Sequence, residues 1–235
     1  MRKPNLNQMI DPETEFLTEL ETFGDEVNEA VSCFSIWVTM HRIARNNRHV
    51  YDVFNQYGDF WVACARALHA NSLIVLGRIF DKDRRTHSVE RLLTLAEKKP
   101  SIFSKTALEK RAQRRITGPL LRDFMDRACV PSATDLKRIR SRMNARRKTF
   151  QGSYEKLRNK VFAHRDRDGA SIFAAKTNIQ ELARLLDFLN RLYYALWNLF
   201  HNGRKLTLGR ARGLSQRRVT RVTCQFLKSI GDSRR

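Results

Sequence analysis

Apolar residues recur every three or four positions along most of the chain, the spacing that places them on one face of an α-helix. The strict alternation typical of a half-buried β-strand is almost absent. The sequence therefore predicts an all-α fold. The main apolar stripes run from Val27 to His41, from Phe60 to Phe80, from Leu136 to Val161 and from Leu182 to Phe200.

Residues that commonly start and stop helices divide these stripes. Asp11-Pro12, followed by acidic residues, suits a helix N-terminus, and Asn46-Asn47 is expected to interrupt the first helix. Ser88 should cap a short helix that ends before Pro100, and Gly203 should end the last helix of the bundle. The stripe from Phe60 to Phe80 is the widest, so we expect its helix at the centre of the bundle.

Two shorter helices, separated at Gly118-Pro119, are predicted between residues 104 and 131 and read as a helical insertion. Their bases, among them Arg111, Arg114 and Arg115, either follow the phosphate backbone of a nucleic acid or decorate ordinary surface helices. The long helix that follows is predicted to run from about Ser132 to Phe162.

The net charge of the chain indicates the kind of partner that it binds. The 235 residues include 45 Lys and Arg against 24 Asp and Glu, a formal charge of +21. Such an excess raises affinity for polyanions whatever the fold, so RNA or another nucleic acid is the leading partner. The alternative is a solvated basic surface with no specific ligand.

The C-terminal stretch is the most basic part of the chain. Residues 204–235 contain ten bases and a single acid, Asp232. We predict a helical domain over residues 1–203 and a mobile basic arm over residues 204–235, with Arg217 and Arg218 as candidate RNA contacts. An extension without a specific ligand is the other reading.

The sequence lacks several patterns that would indicate disulfides, a membrane span, a metal site or a bound nucleotide. The four cysteines are scattered without a paired motif, which favours free thiols in a reducing compartment. No uninterrupted apolar run reaches the length of about 18 residues that suggests a membrane span, and no signal-peptide pattern begins the chain, so we expect a cytoplasmic protein. Zinc-ligand spacing, a phosphate-binding glycine loop and a nucleophile elbow are also missing, so neither metal nor cofactor is expected.

The strongest candidate site lies at the end of the long helix, where Arg158, Asn159 and His164 precede the turn formers Asp166 to Gly169. In a regular helix His164 would point well away from Arg158, so convergence on one ligand requires a bend at this helix end. A histidine can remove the proton of a ribose 2′-hydroxyl while an adjacent guanidinium stabilises the charge on the phosphate. Alternatively, Arg158 decorates the helix and His164 caps it.

The spacing of Arg158, Asn159 and His164 resembles the arginine-to-histidine signature of the HEPN superfamily, in which a polar residue commonly follows the arginine. Two further stretches, residues 72–83 and 88–93, resemble the helix, Phe-Asp-Lys turn and Ser-capped helix of its abortive-infection AbiU-type branch. Ala163 to Asp166 reproduces the end of that branch's motif, which adds Arg165 to the candidate RNA contacts.

This resemblance implies a HEPN-like helical bundle that forms a homodimer. It further implies a metal-independent endoribonuclease of a defence or toxin system, with Arg158, Asn159 and His164 at its site and a possible antitoxin or defence partner. A catalytically silent HEPN module that binds RNA or a partner protein is the alternative, and a DNA-binding accessory protein is a third reading that rests on charge alone.

Overall fold

The structure, a computed structural model, describes residues 11–83, 86–155, 178–209 and 214–232. Within these ranges the chain forms nine α-helices and no strand, which confirms the predicted all-α fold. The helices are α1 (Pro12–Asn46), α2 (Arg48–Gln56), α3 (Gly58–Ile79), α4 (Val89–Lys98), α5 (Lys105–Ala112), α6 (Gly118–Asp126), α7 (Ala133–Phe150), α8 (Ile179–Asn202) and α9 (Leu214–Asp232).

The longest helix, α1, has 35 residues and packs against α3, α4, α8 and α9. Its first turn contains Pro12, and the Asp11 side chain accepts a hydrogen bond from the Thr14 amide at 3.3 Å. The helix ends at Asn46, and Asn47 caps α2 by accepting from the Val50 amide at 3.2 Å. The predicted interruption at Asn46-Asn47 is confirmed.

The main core lies between α1, the C-terminal half of α3, α4, α7 and α8. Val75 and Leu189 lie in this one core, whereas Leu157, expected beside them, lies outside the described residues. Gly24 allows the close approach of α1 and α8, because a Cβ atom there would lie only 2.4 Å from Cε2 of Tyr193.

A second, smaller apolar cluster joins the end of α1 to α2, the start of α3 and α9. Its buried members are Met40, Ile43, Val50 and Leu227. The expectation of a mobile arm is therefore wrong for residues 214–232, which form a helix packed on α1 and α2. The division of the chain at residue 203 stays a prediction.

The helix expected at the centre of the bundle, α3, is buried over only part of its length. Positions from Ser72 to Ile79 contribute to the core, whereas Phe60 is exposed because only the smaller cluster reaches the N-terminal half. The 22-residue α3 is also long enough for a membrane span and contains an 18-residue window with mean hydropathy 1.3, of which 28% is buried inside the bundle. A core helix can pass the same test, so this observation is weak evidence for a membrane.

The predicted insertion is present as α5 and α6. Ser104 caps α5 by accepting from the Ala107 amide at 3.2 Å, and Gly118-Pro119 begins α6. No residue of α6 is buried, whereas α5 packs on α8 and buries Leu108.

The helix that should carry the candidate motif begins as predicted. Ser132 and Asp135 form a reciprocal capping box at the start of α7, and the helix continues to Phe150, followed by a π-helical turn at Gln151–Glu155. The predicted continuation to Phe162 lies outside the described residues. Further along, α8 ends at Gly203 with a positive φ of 56°, as predicted.

Candidate functional site

The four motif residues Arg158, Asn159, His164 and Arg165 lie outside the described residues. The structure describes the two chain ends that flank them, Tyr154 at the end of the π-helical turn and Asn178 at the start of α8. Their mutual geometry, and the bend that would bring Arg158 and His164 together, therefore stay predictions.

The flanking residues meet each other. The Tyr154 hydroxyl donates a hydrogen bond to the Asn178 carbonyl oxygen at 3.0 Å, so the segment between them leaves and returns at one place. Tyr154 is almost completely buried and stacks on Phe150, which in turn stacks on Phe80 with ring centroids 5.1 Å apart. Burial, together with the Glu181 carboxylate, raises the pKa of the Tyr154 phenol and keeps the hydroxyl a hydrogen-bond donor.

Ion pairs hold α7, the helix that leads to the motif, against α4. Glu90 of α4 accepts from Arg147 Nη2 at 2.9 Å and is also paired with Arg140. Arg140 Nε contacts Glu97 at 2.8 Å. Burial alone would raise the pKa of Glu90, but the hydrogen bond from Arg147 and the charge and hydrogen bond of Arg140 outweigh it and hold this pKa below its usual value.

A buried carboxylate also ties the start of α4 to α1. Glu19, on α1, is almost fully buried and accepts from Arg91 Nε at 2.7 Å and from His87 Nδ1 at 3.0 Å. Arg91 reaches Glu15 as well, at 3.0 Å. Arg91 follows Glu90 on α4, so this cluster lies beside the ion pairs that hold α7. Sequence reasoning did not identify it, because its partners are far apart in the chain.

The candidate RNA contacts of the insertion differ in how far their side chains are exposed to solvent. Arg111 has a side chain only 12% exposed, lies 2.9 Å from Glu13, donates to the Ile102 carbonyl and covers the ring of Phe200 at 4.2 Å. Its guanidinium is therefore occupied by contacts within the fold and is not presented at the surface. Arg114, three residues on, is exposed.

Arg115 is exposed but also tied to the bundle. Its Nη2 donates to the His201 carbonyl oxygen at 2.8 Å, which connects the insertion to the end of α8. Burial, and then the charges of Arg115 and Arg111, lower the pKa of the His201 imidazole. Arg115 therefore presents a cation at the surface while one of its donors is occupied.

Two further candidate contacts, Arg217 and Arg218, are exposed near the start of α9. They stand on a helix that is fixed to the bundle, so their positions are set by the fold. The acidic residues of α1 lie elsewhere and several are neutralised internally, as in the pair between Arg78 Nε and Glu26 at 2.8 Å. Exposed positive charge thus dominates the insertion and α9.

Comparison with known families agrees with this architecture. The sequence model of the family described as AbiU2, of the HEPN group, matches residues 13–217, which is most of the chain and includes every helix from α1 to the start of α9. No curated protein and no solved structure gives a significant match. The match spans the main core, both stretches that carry the resemblance and the candidate motif. The chain belongs to the AbiU2 family of HEPN proteins.

Proposed function

We propose that this protein is a metal-independent endoribonuclease of a defence or toxin system, with Arg158, Asn159 and His164 at its active site. The observation that carries the proposal is membership of a HEPN family across residues 13–217, the region that contains this motif. The strong positive charge of the chain supports RNA as the substrate.

In the proposed reaction His164 removes the proton of a ribose 2′-hydroxyl, which attacks the adjacent phosphorus. Arg158 binds the phosphate and stabilises its added charge, and Asn159 orients either group. The bond to the 5′-oxygen breaks, so the products are a 2′,3′-cyclic phosphate and a 5′-hydroxyl. DNA lacks the attacking hydroxyl and is not a substrate.

One histidine cannot act as base and acid in the same step. A homodimer in which two motif segments face each other supplies a second His164 for the leaving oxygen. We place the protein in the cytoplasm, where its free cysteines stay reduced and RNA is available. An antitoxin or another defence protein is the proposed partner that restrains it.

The test is cleavage of RNA by the purified full chain with and without EDTA. His164→Ala should abolish cleavage while folding and most RNA binding remain, because it removes the group that transfers protons and leaves the basic surface intact. Arg158→Ala should lose cleavage and part of the affinity. His41→Gln, on the exposed side of α1, is the matched control and should cut like the wild type.

Two results would contradict the proposal. Equal cleavage by the His164→Ala variant would remove this residue from the site, and activity that depends wholly on an added divalent metal would remove the mechanism. RNA binding without cleavage of any RNA would instead favour the second candidate, a catalytically silent HEPN module that binds RNA or a partner protein. The same basic surface favours that candidate.

A further inference from the structure

In the part of the chain that the structure describes, the exposed aromatic side chains lie on or between α2, α3 and α9. Among the described Phe, Tyr and Trp residues, only Tyr51, Tyr57, Phe60 and Phe226 are exposed, at 45%, 54%, 61% and 56%. Tyr51 lies on α2, Tyr57 at the junction of α2 and α3, Phe60 in the first turn of α3 and Phe226 on α9. Together with the exposed Arg48 and Arg221 they define what we call the α2–α9 surface.

The helices that carry this surface form one packed unit around the smaller apolar cluster. Leu227 of α9 is buried with Met40 and Val50, and Arg42 Nη2 lies 3.6 Å from the Cys224 sulfur. At the other end of α9, a Cβ atom on Gly231 would lie 3.2 Å from the Val50 side chain. The exposed residues of α2 and α9 are therefore held in fixed positions relative to each other.

Positive charge surrounds the exposed rings. Residues 41–60 and 214–232 carry seven Lys and Arg residues, all exposed, against three acids. One of the acids, Asp52, is paired with Arg48 at 3.1 Å, and the Arg48 guanidinium lies 5.5 Å from the centre of the Tyr51 ring. Aromatic faces among cations match the two parts of a nucleic acid strand, since bases stack on rings while phosphates contact guanidinium groups.

We propose that the α2–α9 surface binds single-stranded RNA, with Tyr51 and Phe226 as stacking platforms for unpaired bases. The inference rests on the proposed function for the choice of RNA as the ligand, and it adds that this RNA is single-stranded. A duplex hides its base faces in its own stack, so it can use the cations of this surface but not the rings. The surface therefore selects unpaired segments.

Two other occupants fit the observations less well. A membrane would require a continuous outward apolar face, but α9 turns Leu227 inward, and its outward residues Val222 and Phe226 alternate with Arg218 and Arg221. A second copy of this chain docked symmetrically would place like charges opposite one another.

The experiment measures fluorescence anisotropy of the full chain with a single-stranded 2′-O-methyl oligouridylate of about 12 nucleotides, a length within the usual range of single-strand sites. The methyl group removes the attacking hydroxyl, so binding is measured without cleavage. A 2′-O-methyl duplex of the same length is the comparison ligand.

The double variant Tyr51→Ala/Phe226→Ala should raise the Kd for the single strand about tenfold or more and leave the Kd for the duplex nearly unchanged, since base stacking is lost and the cations remain. Tyr51→Trp/Phe226→Trp should keep single-strand binding, and the new indole fluorescence should be quenched by the oligonucleotide. Arg218→Gln/Arg221→Gln should weaken both ligands and reduce the salt dependence. Leu120→Ala, at an exposed apolar position of α6, is the matched control without effect.

The inference is overturned if the Tyr51→Ala/Phe226→Ala variant binds the single strand as tightly as the Leu120→Ala variant. It is equally overturned if this double variant keeps its affinity for RNA and instead loses binding to vesicles that contain phosphatidylserine. Loss of self-association, measured by sedimentation, with RNA binding unchanged would overturn it in the same way. Unchanged single-strand binding by the Tyr51→Ala/Phe226→Ala variant, together with His164-dependent cleavage of unmodified RNA, would refute the inference and leave the proposed function standing. Surface-dependent binding of the 2′-O-methyl strand, with no cleavage of any unmodified RNA, would count against the nuclease and leave the inference standing.

Discussion

At the scale of single residues, arginine has two separate roles in this molecule. Arg111 and Arg147 lie inside the fold against Glu13 and Glu90, whereas Arg114 is exposed. A guanidinium is charged at every physiological pH, so it can be enclosed only where a carboxylate and hydrogen-bond acceptors surround it. The formal charge of +21 therefore overstates the number of cations that are available to RNA.

The pairing of Glu90 with Arg147 should be a main contact between α4 and α7. We expect Glu90→Gln to lower the free energy of unfolding by about 3 kcal/mol, because it leaves the buried Arg147 guanidinium without its counterion. Urea unfolding at neutral pH measures the change. Asp123→Asn is the matched control: it removes the partner of Arg127 in an exposed pair, which should change stability by less than about 1 kcal/mol.

The pH dependence of the stability lost in Glu90→Gln gives a second test of this ion pair. The pKa of Glu90 is held below its usual value, so its stabilisation is present above the ordinary glutamate pKa and is lost as the pH falls through the lowered value. The difference between wild type and Glu90→Gln should therefore shrink in acid. A difference that is absent at neutral pH, or that grows in acid, would show that the pair does not hold the two helices together.

At the scale of helices, the spacing of apolar residues predicts where each helix lies in the chain, but it does not predict which helices pack against one another. The caps at Asp11, Ser88 and Ser132 and the glycine stop at Gly203 lie where the sequence predicts them, because capping depends on side chains within one turn. The exposure of Phe60 is not predictable in this way, since it depends on which positions of α3 are covered by α1 and by the smaller apolar cluster. The packing of α9 was missed because its abundance of bases obscured an apolar face that centres on Leu227.

The docking of α9 can be tested at two adjacent positions. Leu227→Ala should lower the free energy of unfolding by about 3 kcal/mol, because Leu227 is buried in the smaller apolar cluster. Phe226→Ala, one residue away and exposed, should change it by no more than about 0.5 kcal/mol. Amide hydrogen exchange should show faster exchange along α9 only in the first variant. Equal stability of both variants would restore the mobile arm that the sequence suggested.

At the scale of the whole molecule, the fold separates charge. The acidic face of α1 is used against Arg78, Arg91 and Arg111, whereas exposed bases predominate on α7, α9, the insertion and the end of α1. Sequence counts predict the excess of positive charge but not this division, because the pairs join residues that are far apart in the chain. For the same reason the Arg158 and His164 site was predicted from local spacing alone, and its geometry stays a prediction.

Two partly buried histidines should set how the whole molecule responds to mild acid. Burial, and then the charge of His41, lowers the pKa of His69, which stacks on Trp37 with ring centroids 4.6 Å apart. Burial and the nearby Arg115 and Arg111 lower the pKa of His201. A histidine with a lowered pKa favours the folded state fully above its ordinary value of 6.5, and this contribution is lost as the pH falls towards the lowered value.

The free energy of unfolding should therefore fall between about pH 7.5 and pH 5.5, a window in which most carboxylates do not titrate. Urea unfolding at these two pH values measures the loss. The variant His69→Phe/His201→Phe keeps an aromatic ring at both positions and removes the protonation, so its stability should differ much less between the two pH values. A wild type that is equally stable at both, or a variant with the same loss, would assign the acid response to other groups.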